Sequence, residues 1–209
     1  MHAPIQQYRV IPVVAIEDSQ KATQLANSLV LGGLPVAEIT LRTSAAFEVI
    51  SAMSKIDGFL VGAGTVHSVD QAKKVIDAGA KFIVAPGLNP NTVRWCLDND
   101  VPIYPGVSTP TDLEMALDLK LDAVKFFPAE ALGGIQMLKA LHGPYKDFRF
   151  IPTGGINASN LPAYLSLPYV LACGGSWMVK KDLIDAGHFE EITELTRQAV
   201  NIATNVSAK

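Results

Sequence analysis

The sequence predicts a single α/β domain spanning residues 1–209, closed as a (β/α)8 TIM barrel. Three observations predict it. Short β-branched apolar runs recur eight times, segments of helical periodicity lie between them, and prolines fall at the ends of four of the runs.

Taken in order, the apolar runs cover residues 10–16, 36–41, 59–61, 81–85, 101–104, 123–127, 148–151 and 170–173. Helical spacing is clearest in Val69, Ala72, Ile76 and Ala80, in Leu113, Ala116, Leu117 and Leu121, and in Phe189, Ile192, Leu195, Ala199 and Ile202. Helix starts are marked by Ser68 with Gln71, which has the form of a capping box. Asn89-Pro90 and Thr109-Pro110 each place a cap residue before a proline suited to the first turn. Gly79, Gly143 and Gly187 stand where helices stop.

Strands that are apolar along nearly their whole length, alternating with helices, are parallel and buried on both faces. Such a sheet is either doubly wound or closed. Eight units in 209 residues average about 26 residues each, short for a barrel but inside its range, and the count favours closure. Pro86, Pro105, Pro128 and Pro152 each end an apolar run, where a missing N–H breaks no ladder bond. They mark the carboxyl ends of strands, where a barrel places its chemistry. No linker or composition shift divides the chain.

Composition excludes several function classes. With 49% hydrophobic and 18% charged residues the chain is too apolar for disorder, and a net charge of −3 lacks the Lys/Arg excess of a nucleic-acid binder. Any phosphate must be bound locally. Cys96 and Cys173 form no C-x-x-C pair, which suits a reducing cytoplasm. Residues 1–9 carry no apolar run of signal-peptide length, and nowhere do eighteen apolar residues follow one another, so the expectation is a cytoplasmic protein that neither is exported nor spans a membrane. His2, His67, His142 and His188 are scattered without ligand spacing, and no metal site is expected. Gly62-Ala63-Gly64-Thr65 lacks the third glycine and acidic partner of a dinucleotide fingerprint, which sets NAD aside.

Three features carry chemistry. Lys125 lies in a strand whose neighbours are apolar until the turn; alternation puts it on one face with Ala123 and Phe127, in a barrel one of the two faces looks inward, and Lys125 is the candidate for that inner face. Burial disfavours an ammonium, so such an amine can become a nucleophile toward a ketone. The structural alternative is a lysine that snorkels to water or neutralises a buried carboxylate. Glu38, Thr40 and Arg42 share one face of the second run, and Glu38 is the candidate acid/base partner of Lys125; a Glu38–Arg42 ion pair would explain both residues without catalysis. Glycine pairs follow the seventh and eighth runs, at Gly154-Gly155 and Gly174-Gly175, next to Ser176. Barrels frequently bind phosphate with those two loops.

The motifs VKFFPAE at 124–130, EITLRT at 38–43, VGAGT at 61–65, APG at 85–87, PTGGI at 152–156 and GGSW at 174–177 resemble the 2-keto-3-deoxy-6-phosphogluconate (KDPG) aldolases, also called 4-hydroxy-2-oxoglutarate (KHG) aldolases. The resemblance runs in order through nearly the whole barrel. It implies a class I aldolase of the Entner–Doudoroff pathway, a homotrimer without metal or organic cofactor, splitting the phosphorylated keto acid into pyruvate and glyceraldehyde 3-phosphate. Lys125 is then the Schiff-base lysine and Glu38 the general acid/base. Arg42 and Thr65 hold the pyruvyl carboxylate, Pro86 and Phe127 shape the pocket, Thr153 contacts substrate, and Gly154, Gly155, Gly175 and Ser176 take the phosphate. The chain departs from the family in its short N-terminus, where a fuller helix is common before the first strand. A sister family acting on the phosphogalactonate epimer differs at the arginine and at GGSW, and both match the gluconate type here. Other readings are a sugar-phosphate isomerase or epimerase barrel and, from a different class, a non-catalytic phosphometabolite-binding barrel.

Overall fold

Nine short parallel strands form in the computed structural model, which describes residues 4–206. His2 lies outside the described residues. Strands β1 (Val10–Val14), β2 (Val36–Thr40), β3 (Leu60–Gly64), β4 (Ile83–Val84) and β5 (Ile103–Tyr104) pair in sequence order, and β9 (Cys173–Gly175) adds to the free side of β1. A second sheet carries β6 (Gly106–Val107), β7 (Ala123–Phe126) and β8 (Arg149–Pro152).

Both seams between the sheets are bridged. β8 meets the β9 segment through Phe150–Val170 and Thr153–Gly174, and β5 runs into β6 through Pro105. The ring therefore has eight strand positions, with β5 and β6 sharing one. Here the expectation that Pro105 ends a strand needs correction: it interrupts one. Proline has no N–H for the ladder, yet its carbonyl still accepts from Lys125 at 2.9 Å, so pairing resumes on the far side of the kink. Gly106 permits that kink, because a Cβ there would lie 2.1 Å from the Pro86 carbonyl oxygen. The third strand runs three residues beyond its apolar run, to Gly64, and the eighth begins at Cys173 instead of at Val170.

Burial follows the parallel arrangement. All five β2 residues are buried, including Glu38 and Thr40, because helices cover one face and the barrel interior the other. The outer layer comprises α1 (Ala22–Leu31), α2 (Ala46–Met53), α3 (Val69–Asp77), α4 (Pro90–Asp98), α5 (Pro110–Asp118), α6 (Gly134–His142), α7 (Leu161–Leu165), α8 (Lys181–Ala186) and α9 (Phe189–Asn205). Among the described residues no helix is long and apolar enough to cross a membrane.

Helix starts behave as their caps suggest, with one variation. Thr109 and Asp112 form a full capping box at α5. Burial raises the Asp112 pKa, but hydrogen bonds from Ser108 and Thr109 outweigh it and hold the carboxyl below its ordinary range. At α3 the Ser68 hydroxyl accepts from Gln71 N as expected, whereas the Gln71 side chain accepts from His67 N, one residue before the cap.

At the barrel base, ahead of β1, one 3-10 turn, Pro4–Gln7, buries Ile5. Arg9 then donates to the carbonyls of Ala203 and Val206 at 3.0 and 2.7 Å and to that of Leu165 at 2.8 Å. A cation at the carboxyl ends of α9 and α7 meets carbonyls the helices leave unpaired. Cys173 sits in the same base fully buried, and burial pushes its thiol well up, as it pushes that of Cys96 up to about 12.

Candidate active site

At the carboxyl ends of the strands the barrel opens into a cavity of about 230 Å³. Its deepest polar groups come from β2 and β7, on opposite walls. Glu38 is paired in register with Gly62 of β3, and Lys125 with Ile151 of β8. Both side chains point inward as alternation requires, and Lys125 Nζ lies 3.4 Å from Glu38 Oε1. The residues are only 5% and 3% exposed, so their charges meet with little water between them.

Two glycines of β3 make that geometry possible. A Cβ on Gly64 would lie 2.1 Å from Glu38 Oε1, so the missing side chain is the space the carboxylate occupies. A Cβ on Gly62 would meet the Phe82 ring at 2.2 Å. Phe82 fills that space and packs edge-on against Tyr104 at 6.5 Å between ring centroids. The Phe82 ring, buried with that of Tyr104, thus packs against Gly62, the residue of β3 that pairs with Glu38.

The Glu38–Arg42 ion pair considered from sequence does not form among the described residues; Glu38 pairs with Lys125 instead. Strand β2 ends at Thr40, and Arg42 stands in the following turn, exposed at the rim. Its Nε donates to Thr40 Oγ1 at 3.1 Å, and that hydroxyl donates to the Val14 carbonyl at 2.7 Å. This engages one of five guanidinium donors. The others are available to an acid entering the cavity. Lys125 Nζ also lies 5.0 Å from the centre of the Phe127 ring, close enough for a cation–π contact.

Thr65, just past β3, has φ of 61°, a region that costs a β-branched residue strain. It lines the cavity with Pro86 and Thr153. All seven residues expected to act on the substrate carbon skeleton, namely Glu38, Arg42, Thr65, Pro86, Lys125, Phe127 and Thr153, therefore share one wall system. Val13, Thr40 and His67 also line it, and sequence reasoning gave them no role there. For Thr40 the alternation with Glu38 held the signal. His67 lies in a loop, where no periodicity points inward.

The four residues expected to take phosphate lie beside the cavity, not on its wall. Gly154 directly follows Thr153, and Thr153 bridges to Gly174. The glycine pairs have different physical reasons. Gly154 and Gly155 adopt φ of +98° and +81°. In the other pair, a Cβ on Gly174 would strike Thr153 Oγ1 at 2.5 Å and one on Gly175 the Trp177 ring at 2.0 Å. Ser176 follows, exposed at the mouth. Among the described residues no group of three or more His, Cys, Asp or Glu side chains could hold a metal ion.

Comparison with known proteins adds three findings to this geometry. The family described as "Aldolase: KDPG and KHG aldolase" matches residues 1–195. A 2-dehydro-3-deoxy-phosphogluconate aldolase of Treponema pallidum is 48% identical over 199 residues, covering 95% of both chains. Among solved structures, a KDPG aldolase from Legionella pneumophila, with pyruvate captured as a covalent carbinolamine intermediate, superposes with a TM-score of 0.89 at 40% identity, covering 92% of this chain and 94% of that one. The KDPG aldolase of Zymomonas mobilis ZM4 with 3-phosphoglycerate gives a TM-score of 0.88 at 38% identity, over 98% and 94%.

Proposed function

Because the chain belongs to the KDPG and KHG aldolase family, matched along residues 1–195, we propose that it cleaves 2-keto-3-deoxy-6-phosphogluconate to pyruvate and glyceraldehyde 3-phosphate through a Schiff base on Lys125. The chain is an aldolase, a carbon–carbon lyase. The observation that carries the assignment of Lys125 is the buried Lys125–Glu38 pair at 3.4 Å. The carbinolamine captured in the Legionella relative supports the same chemistry.

The steps follow from the positions of the groups. Glu38 accepts the Lys125 ammonium proton, and the freed amine adds to the C2 ketone to give a carbinolamine; Glu38 returns the proton to the carbinolamine hydroxyl, which leaves as water to form the iminium and restores the carboxylate. Glu38 then takes the C4 hydroxyl proton as the C3–C4 bond breaks, and the electron pair passes into the iminium to leave an enamine. The aldehyde departs, C3 is protonated, and water hydrolyses the iminium to release pyruvate. Arg42 and Thr65 hold the carboxylate, while Pro86, Phe127 and Thr153 confine the carbon chain. Gly154, Gly155, Gly175 and Ser176 receive the phosphate, a placement supported by their position beside Thr153; a phosphate monoester as ligand agrees with the 3-phosphoglycerate present with the Zymomonas relative. The cavity is smaller than the roughly 300–1,000 Å³ of drug-sized sites, which suits a small keto acid, and 4-hydroxy-2-oxoglutarate fits the same chemistry.

The reading extends to a homotrimer in the cytoplasm, with exposed Leu31, Leu97 and Leu117 offering apolar surface for subunit contacts. Light scattering on the purified protein tests the trimer. For the reaction, pyruvate release from the phosphorylated keto acid is the direct assay. Isomerisation without pyruvate would favour a sugar-phosphate isomerase or epimerase, binding without turnover a non-catalytic barrel, and faster cleavage of the phosphogalactonate epimer the sister activity.

A further inference from the structure

One side-chain pair beside the glycine loops has no part in the steps above. Tyr164 of α7 is fully buried, and its hydroxyl donates a short hydrogen bond to Glu130 Oε1. Glu130 opens the 3-10 turn Glu130–Leu132 that follows β7. Its backbone N–H donates to the Gly154 carbonyl at 3.1 Å, and that of Ala129 donates to the Thr153 carbonyl at 2.8 Å. The loop after β7 thus lies along the loop after β8, in pairing that continues the sheet.

The packing is close enough to require glycine on both sides. A Cβ on Gly155 would lie 2.6 Å from Glu130 Cβ and Cγ. One on Gly134 would lie 2.9 Å from Glu130 Oε1 and 3.1 Å from the Tyr164 hydroxyl. Gly154 and Gly155 are two successive left-handed glycines, a turn with much conformational freedom to lose. A turn of that kind binds an anion well only if something else fixes its shape beforehand. Burial, and then the bond to Glu130, pushes the Tyr164 phenol well up, so it stays a protonated donor at neutral pH.

We propose that Tyr164 and Glu130 form a positioning strut: the phenol holds the Glu130 side chain against Gly155, fixing the Gly154–Gly155 turn in the shape that receives a phosphate monoester. The strut sets preference for phosphorylated over non-phosphorylated keto acids and leaves the chemistry at Lys125 alone. This inference rests on the aldolase reading and on its placement of the phosphate.

Steady-state kinetics on two substrates test it. In Tyr164→Phe the ring still fills its site but the strut is unfastened, and KM for 2-keto-3-deoxy-6-phosphogluconate should rise about tenfold with little change in kcat. KM and kcat for 4-hydroxy-2-oxoglutarate should stay within about twofold. Glu130→Gln keeps the acceptor oxygen and should restore near-parental KM, whereas Glu130→Ala should reproduce the Tyr164→Phe defect. Because Glu130 is exposed, that second pair carries the test if Tyr164→Phe does not fold. Equal losses on both substrates, or an unchanged KM for the phosphorylated one, would overturn the strut. A parent enzyme that traps pyruvate on Lys125 yet shows no preference for the phosphorylated substrate would instead overturn the phosphate placement.

Discussion

Gly64→Ala probes the dependence of catalysis on where the Glu38 carboxylate sits. Gly64 lies in β3 opposite Thr40 and is not among the glycines with positive φ, so the backbone itself accepts alanine. The added methyl lies 2.1 Å from Glu38 Oε1, 2.7 Å from Cγ and 2.8 Å from Cδ. An ordinary contact needs about 3.4 Å, so the carboxylate must retreat by roughly 1.3 Å, the difference from the 2.1 Å approach. A misplacement of about 1 Å can cost about 100-fold, and loss of a general acid/base typically costs about 10²–10⁴-fold. Overpacking itself costs about 1–3 kcal/mol, or very roughly 2–12 °C in Tm for a domain of this size. The assay is kcat for pyruvate release alongside thermal melting, with Gly62→Ala as the matched control. There the methyl meets the Phe82 ring at 2.2 Å, so the strain is comparable but falls on Phe82 instead of on Glu38. Gly64→Ala should lose at least about 100-fold in kcat, and Gly62→Ala much less at a similar melting point. Equal losses in the two variants, or a folded Gly64→Ala with parental kcat, would refute the reasoning.

Glu38→Gln should keep the fold and lower kcat by about 10²–10⁴-fold; a lowered Tm with parental kcat would mean that Glu38 only neutralises Lys125. Ser176→Ala removes the hydroxyl proposed to donate to the phosphate; a hydrogen bond to a charged group contributes about 1.5–3 kcal/mol, so kcat/KM should fall roughly 10- to 150-fold for the phosphorylated substrate but far less for 4-hydroxy-2-oxoglutarate. Asp112→Asn tests the α5 cap through pH. A carboxyl whose folded pKa is depressed stabilises the fold above its unfolded pKa of about 3.9, and that stability is lost as pH falls through the folded value. The variant should therefore melt below the parent at neutral pH, and the gap should narrow as the pH falls from the unfolded value of about 3.9 through the lower folded one. A constant gap would place the effect in packing.

The barrel was legible in the sequence because parallel strands buried on both faces leave near-continuous apolar runs, and because Asn89, Thr109 and Ser68 state where helices begin. Alternation along residues 36–42 and 123–127 showed which residues share a face and made Lys125 a candidate for the inner one; the structure turns both Lys125 and Glu38 inward. What periodicity does not encode is partnership across the barrel: Glu38 meets Lys125, 87 residues away, and not Arg42, four residues away, because β2 ends at Thr40. Close approaches were equally hidden. Gly64 and Gly106 both lie beyond the ends of the apolar runs, and only three-dimensional packing reveals the carboxylate and the carbonyl they admit. Positive φ at Thr65 and the position of His67 in a loop leave no sequence period to detect.

Covalent trapping tests the central claim most directly. Borohydride added with pyruvate should inactivate the protein and leave a reduced pyruvyl adduct on the peptide containing Lys125, while protein treated with borohydride alone stays active and unmodified. Intact protein with unchanged mass and full activity, or an adduct on Lys139 of α6 instead, would contradict the assignment of Lys125 as the Schiff-base lysine.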